Sequence, residues 1–196
     1  MRIISGVAKG RELKSPHSDG VRPTSDRARE GLFSTLESEF GSIEGLRFLD
    51  LFAGSGAVGV EALSRGAIQV HSVELDVETA DVARANFASV PSSAECHVYR
   101  ESAEKFLESG PASNGSTAYD IIFMDPPYNV TNEVIERLLT LIIERDLLQP
   151  RGLVAIERDS KGKVFTWPQS PRAMAEVKVR SYGQGSIYYG GYSDTV

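Results

Sequence analysis

The chain has 196 residues, 41% hydrophobic and 24% charged, which suits one well-buried globular domain with a small appendage. No apolar run approaches membrane-spanning length and the N-terminus lacks the apolar stretch of a signal peptide. A lone cysteine, Cys96, excludes an intramolecular disulfide and fits a reducing cytoplasm. The net charge of −6 argues against indiscriminate polyanion binding, but seven Lys/Arg stand against three Asp/Glu up to Arg29 and fourteen against twenty-four thereafter.

Met1 to Lys14 forms a basic arm. Short apolar runs around Gly6 and Gly10 predict two small strands and a turn, flanked by Arg2, Lys9, Arg11 and Lys14. Such an arm on an acidic body either meets a polyanion or is simply solvated. A polar loop follows, and any domain boundary falls near Pro16 to Thr24. Arg22-Pro23-Thr24-Ser25-Asp26 reads as a helix start. Ala28, Leu32, Phe33 and Leu36 then recur at helical spacing, with Arg27 and Arg29 expected off that apolar face. Gly45 to Phe52 reads as the first core strand, running through Ala53-Gly54-Ser55-Gly56-Ala57-Val58-Gly59 into a helix from Val60 to Arg65. Ile68 to Leu75 is a second strand, and Asp76 starts a helix carrying Val77, Ala80, Ala83 and Phe87. Cys96 to Tyr99 is a third strand, where the cysteine reads as a structural thiol, and a helix follows around Phe106.

Gly110 to Ala118 is a polar excursion, and Tyr119 to Met124 is an apolar run that reads as a buried parallel strand. A helix from Asn132 to Leu147 follows. Pro150-Arg151-Gly152 turns the chain into Leu153 to Glu157, and Val177 to Arg180 and Ser186 to Tyr189 form a hairpin through Gly183 and Gly185. Alternating strands and helices that end in two strands predict an α/β fold, a mostly parallel sheet with helices on both faces and an antiparallel edge.

Two stretches carry chemistry. Gly54, Gly56 and Gly59 lie between a strand and a helix, where glycine allows a tight turn and close approach of another molecule. Glu74, ~20 residues past Gly54, stands where an acidic residue accepts ribose hydroxyls. Together they point to a nucleoside-containing cofactor rather than a packing glycine run. Asp50 would repel a pyrophosphate but accept a protonated amine, which favours S-adenosylmethionine over a dinucleotide. The second stretch is Asp125-Pro126-Pro127-Tyr128. The prolines cannot continue a strand, so the backbone must leave the sheet at Asp125, at the edge where open α/β sheets bind ligands. A carboxylate, rigid carbonyls and a ring face suit a planar amine-bearing group; the bland reading is a Pro-rich turn with Tyr128 on the surface. The three histidines are scattered with no metal-ligand spacing, so no metal is expected.

Asp50-Leu-Phe-Ala-Gly-Ser-Gly followed by Asp125-Pro-Pro-Tyr128 resembles the exocyclic-amino class of S-adenosylmethionine-dependent methyltransferases. Arg2-Ile-Ile-Ser-Gly-Val-Ala-Lys-Gly-Arg-Glu-Leu and Arg22-Pro-Thr-Ser-Asp-Arg-Ala-Arg-Glu-Gly-Leu-Phe narrow this to the RsmD family, which methylates N2 of one guanine, guanine 966, in bacterial 16S ribosomal RNA. The resemblance covers most of the chain. It implies a Rossmann-like class I methyltransferase fold with a seven-stranded sheet spanning 24–196, and an RNA-docking β-hairpin extension at 1–23. It implies that Asp50, Ala53, Gly54, Ser55 and Gly56 hold the methionine part of S-adenosylmethionine, Glu74 the ribose, and Ser102 and Ala103 border the adenine, with Phe52, Gly59 and Leu75 also among the cofactor-binding residues and Thr24 bordering the site. The class prefers Asp or Asn where this chain has Ser102. Asp125, Pro126, Pro127 and Tyr128 would be catalytic, and Arg2, Lys9, Arg11, Lys14, Arg22 and Arg27 would meet RNA.

The implied partner is 16S rRNA within the assembled or assembling small ribosomal subunit, met by a cytoplasmic monomer without membrane or metal. A DNA adenine-N6 methyltransferase uses the same strand-end motif, but 196 residues leave little room for a target-recognition region. A non-catalytic RNA-binding module with a retained cofactor pocket would not need Asp50, Glu74 and Asp125 together. A nicotinamide oxidoreductase has no use for an amine-holding strand end.

Overall fold

The first core strand, β1 (Arg47–Asp50), is Arg-Phe-Leu-Asp, whose last three residues are buried. It belongs to a computed structural model that describes residues 1–16, 26–110, 118–159, 165–183 and 185–193. The chain divides into two compact units, Met1–Glu101 and Ser102–Val196.

In the first unit, α1 (Asp26–Phe40) precedes β1, and α2 (Ala57–Ser64), β2 (Gln69–Val73), α3 (Val77–Ala88) and β3 (Glu95–Tyr99) follow it. The strands are all parallel, with β2 between β1 and β3. Helix α1 buries Ala28, Leu32, Phe33 and Leu36, and Phe33 stacks on Phe48 of β1 at 6.1 Å. Arg29, expected off this face, is instead fully buried. It stands three and four residues before Leu32 and Phe33, inside the stripe, where i,i+3 and i,i+4 side chains meet. Its burial is matched by Glu61 of α2, itself fully buried, whose Oε2 lies 3.7 Å from Arg29 Nε. Arg29 Nη2 also donates to the Arg2 carbonyl at 2.6 Å and to Asp26 at 3.0 Å.

Helix α2 starts at Ala57, three residues before the expected Val60, because Gly56 at φ +77° supplies the left-handed N-cap. Gly59 therefore lies within the helix. A Cβ there would come within 2.7 Å of the Phe87 ring and 2.8 Å of Ser72 Oγ, so its hydrogen lets α2 seat closely on its neighbours. Helix α3 begins as expected, with the Asp76 side chain accepting from the Thr79 N–H at 2.8 Å.

The arm was expected to form two small strands, but it makes a single antiparallel bridge, Arg2 to Glu12. The Ile3 and Leu13 N–H groups still cross the arm, to the Arg11 and Met1 carbonyls at 3.0 Å each, but the donors between them on the outgoing half are drawn elsewhere. The N–H groups of Ile4 and Ser5 go to the Glu61 carboxylate at 2.8 and 2.9 Å. Val7 N–H goes to the Ser64 carbonyl and Ala8 N–H to Ser64 Oγ, at 2.8 and 3.0 Å. Ile3, Ala8 and Leu13 are buried, while Arg2, Lys9, Arg11 and Lys14 stay exposed. Burying side chains such as Ile3 and Leu13 contributes about 1.5–3 kcal/mol each, so the arm is anchored.

In the second unit, α4 (Ala103–Ser109), β4 (Tyr119–Met124), α5 (Asn132–Glu144), β5 (Leu148–Asp159), β6 (Met174–Tyr182) and β7 (Gly185–Tyr192) follow in order. Strands β4 and β5 are parallel, and β7 pairs antiparallel with both β5 and β6. The hairpin thus returns its second strand between β5 and its first. Strand β5 begins at Leu148 rather than after Pro150-Arg151-Gly152, because a register irregularity between Tyr119 and Ile121 absorbs the extra residues. Helix α5 stops at Glu144, short of Leu147: Asp146 turns left-handed at φ +50° and Leu147 N–H closes on the Ile142 carbonyl at 3.0 Å. The expected excursion falls largely on residues 111–117, outside the described residues. No described helix is long and apolar enough to cross a membrane.

Candidate active site

In the first unit the chain leaves β1 at Asp50 and turns through Ala53-Gly54-Ser55-Gly56 into α2. Hydrogen bonds continue past the strand ends and hold this turn: Ala53 N–H donates to the Val73 carbonyl at 2.9 Å, and Glu74 N–H to the Tyr99 carbonyl at 3.0 Å. Asp50 is 1% exposed, and its Oδ1 accepts from the Phe52 N–H at 3.3 Å. Glu74 bridges Gly54 N–H on one oxygen and Asp76 N–H on the other, at 2.8 and 2.9 Å. Each carboxylate oxygen has a second lone pair, so both can still accept hydroxyls. Leu75, beside Glu74, is 68% exposed.

This turn fits a nucleoside cofactor. Gly54 adopts φ +53°, and a Cβ there would meet nothing within 4 Å among the described residues. The N-cap of α2 has no side-chain cap bond, so the helix start is open to an anionic group such as a carboxylate. Asp50 is a buried carboxylate of the kind that could take an ammonium, Glu74 an acceptor that could take hydroxyls, and Leu75 an exposed apolar surface against which a ring could lie.

In the second unit β4 ends at Met124, paired with Ile156 of β5, and the backbone leaves the ladder at Asp125 as the prolines require. Asp125 is half-buried, Pro126 buried and Pro127 exposed, while Tyr128 is 73% exposed. Val130 N–H closes a turn on the Pro127 carbonyl at 2.9 Å. Arg158 of β5 donates from Nη2 to the Val130 carbonyl at 3.0 Å and to Asn132 Oδ1 at 3.2 Å, fixing the far end of this turn. Ser102 is the N-cap of α4, accepting from Lys105 N–H at 3.2 Å, and Ala103 is the first residue of that helix.

A family model described as Conserved hypothetical protein 95 matches residues 1–190. A Haemophilus influenzae protein named Ribosomal RNA small subunit methyltransferase D is 35% identical over 85% of this chain and 82% of its own length. The Escherichia coli K12 protein of the same name is 35% identical over 86% of this chain and 79% of its own. The chain belongs to that family, the RsmD family. A solved Escherichia coli chain, yhhF, described as a methyltransferase, is 29% identical and covers 97% of this chain and 96% of its own, with a TM-score of 0.80. RsmD-family membership and this likeness give the chain the class I methyltransferase fold, with its mostly parallel strands and antiparallel end.

Within this RsmD-family chain, Asp50, Phe52 to Gly56, Glu74 and Leu75 come together in the first unit, and Asp125 to Tyr128 form one turn in the second. Arg22 and Thr24 lie outside the described residues. Of the arm's cations, Arg2 pairs with Glu12 at 2.7 Å and Arg11 donates from Nη1 to the Ser89 carbonyl. Lys9 lines an open hollow of about 290 Å³ together with Glu30, Glu37 and Arg65. Arg27 is exposed on α1. The sequence did not reveal Glu61, Asn86 or Arg158 as organising residues. Glu61 alone left a signal, a single carboxylate in the otherwise uncharged run Ala57 to Ser64. The histidines, scattered along the chain, include a pair in space: His71 and His97 are in register on β2 and β3, with ring centroids 5.6 Å apart.

Proposed function

We propose that this enzyme transfers a methyl group from S-adenosylmethionine to the exocyclic N2 of one guanine of 16S rRNA. It would act as a cytoplasmic monomer on the assembled or assembling small ribosomal subunit. The observation that carries the reading is the strand end itself, a carboxylate, two prolines and an exposed tyrosine ring where β4 stops at Met124. Asp50 and residues 53–56 hold the methionine part of the cofactor, Glu74 its ribose, and Ser102 and Ala103 border its adenine. When bound, the cofactor supplies an electrophilic methyl on a sulfonium.

The nitrogen of a guanine amine is a poor nucleophile because its lone pair is delocalised into the ring. Asp125 and the Pro126 carbonyl accept hydrogen bonds from its two N–H groups and favour a more pyramidal nitrogen with an aimed lone pair. As the N–C bond forms and the S–CH3 bond breaks, one N–H proton would pass to Asp125 or to solvent. Tyr128 stacks on the base, a contact worth about 1–3 kcal/mol per base in single-strand binders. Arg158, by fixing the Val130 carbonyl, keeps this turn in place. Orientation and electrostatics supply the catalysis without a covalent intermediate, and the target base is taken out of its stack to fit. Basic residues of segment 1–23 and Arg27 dock the RNA.

The test is Asp125→Ala, with methyl transfer to unmodified small subunits followed by mapping of the methylated nucleotide. Turnover should fall at least about a hundredfold, with cofactor affinity within about threefold of wild type. Equal loss of both would make Asp125 a binding residue, and methylation of duplex DNA instead of the particles would favour the adenine-N6 reading.

A further inference from the structure

One buried amide ties the end of the basic arm to the glycine turn. Asn86, in the last turn of α3, is 2% exposed. Its Nδ2 donates to the Ser55 carbonyl at 2.8 Å and to the Lys14 carbonyl at 3.0 Å, while its Oδ1 accepts from the Lys14 N–H at 2.8 Å. Both donors and one acceptor position are thus spent on two chain segments remote in sequence. Ser55 sits in the turn beside Gly54, whose N–H is held by Glu74, so the turn is held on one side by a carboxylate and on the other by Asn86. The return half of the arm lies along the same helix end: Arg11 reaches the Ser89 carbonyl, and Ser89 Oγ donates to the Asn86 carbonyl at 2.7 Å.

We propose that Asn86 is a positioning residue that couples RNA docking on the arm to cofactor affinity at the glycine turn. The inference rests on the function proposed above. The first half of the arm is fixed independently, by Glu61 and Ser64 of α2. Arg11 and Leu13 are tied back to that first half, through the Ile3 N–H on the Arg11 carbonyl and the Leu13 N–H on the Met1 carbonyl at 3.0 Å each. It is therefore a load on Lys14 that reaches Asn86, and Asn86 cannot follow Lys14 without changing its bond to Ser55. In a buried site an unmet carbonyl is costly, so the turn has reason to respond. Coupling of this kind is reciprocal: RNA that favours the seated Lys14 tightens the cofactor, and cofactor tightens RNA by the same factor.

The test is equilibrium dialysis of labelled S-adenosylhomocysteine, which cannot turn over, with and without unmodified small ribosomal subunits. For the wild type the particles should tighten binding at least about fivefold. Asn86→Ala should bind the probe roughly tenfold more weakly without particles and change less than about twofold on adding them. Ser64→Ala, which loosens the arm away from the turn, should bind particles more weakly yet keep the wild-type factor. Urea midpoints establish that the variants are folded. If Asn86→Ala does not fold, Asn86→Asp takes its place, since it keeps the acceptor for Lys14 N–H and removes both donors. A folded Asn86 variant that keeps the wild-type factor, or a wild type with no such factor, overturns the inference alone. Failure of the wild type to bind the probe overturns the function reading and this one with it.

Discussion

Cys96 on β3 shows how a residue's surroundings decide its chemistry. Burial, and secondarily the Glu95 carboxylate, push its thiol up to about 11. The nucleophile is the thiolate, so raising the pKa leaves little of it at neutral pH and disfavours attack through sulfur on a base carbon. Cys96→Ser should therefore keep methyl transfer within about twofold, and the wild-type thiol should alkylate at pH 8 more slowly than free cysteine. A loss of turnover beyond tenfold would mean that sulfur takes part. The raised pKa also has a stability sign: the unfolded thiol ionises first, so stability falls as pH rises above its ordinary value of 9.0. At this scale the sequence was informative where a side chain sits beside a backbone breaker. Asp125 stands before two prolines, and Glu74 directly follows the last residue of β2, two residues before the helix cap Asp76. Arg29 and Asn86 were illegible for the opposite reason. Their surroundings come from partners far along the chain, and a helical arginine reads as exposed until Glu61 is placed beside it.

Among the described elements, α2 carries a fully buried charge, Glu61. The buried Glu61 carboxylate takes two arm N–H groups, Arg65 Nε at 2.9 Å and the nearby Arg29. Removing one partner of a buried ion pair costs about 3–5 kcal/mol because the other charge is left uncompensated. Glu61→Ala should lower the urea-extrapolated stability by roughly that amount, whereas Arg29→Met combined with Glu61→Gln should recover part of it. An effect below 1 kcal/mol would show that Glu61 is dispensable. The β2–β3 pair carries a pH dependence. Burial lowers the pKa of His71 below its ordinary 6.5, outweighing the opposing pull of Glu95. Below pH 6.5 the unfolded chain takes up this proton more readily than the fold does, so stability falls as pH drops through that value. Glu95, lowered from 4.5 chiefly by the Gln69 hydrogen bond, acts only at lower pH. Between pH 7.5 and 5.5 the melting temperature of His71→Gln should fall less than that of wild type; equal falls would assign the dependence to other groups. The order of strands and helices was readable because Gly, Pro and cap residues punctuate it. The arm's strands and the start of β5 were not, because Glu61 and Ser64 redirect backbone donors and a register irregularity absorbs Pro150, and both depend on tertiary contacts.

On the whole chain, a net charge of −6 sits with a basic arm, so RNA affinity should come from a few local cations rather than a global field. The structure ranks those cations. Arg2 already pairs with Glu12, and Arg11 is committed to the Ser89 carbonyl, so each would surrender a bond to reach a phosphate. Lys9 and Lys14 are exposed on the arm, although Lys9 shares its hollow with Glu30 and Glu37, which favours Lys14 as the stronger contact. Each phosphate contact adds about 0.7–0.9 to the slope of log affinity against log salt. Lys14→Gln should therefore reduce the slope for unmodified small subunits by close to one, Lys9→Gln by less, and Arg2→Gln least, when binding is measured across about 50 to 200 mM potassium chloride. Because these side chains project from an arm seated by Ile3, Ala8 and Leu13, the urea midpoints of the three variants should stay at the wild-type value. An unchanged slope in all three would leave Arg11 as the arm's one remaining cationic side chain for RNA or place the RNA contacts outside the arm, and the reverse ranking would mean that Arg2 leaves Glu12 when RNA binds.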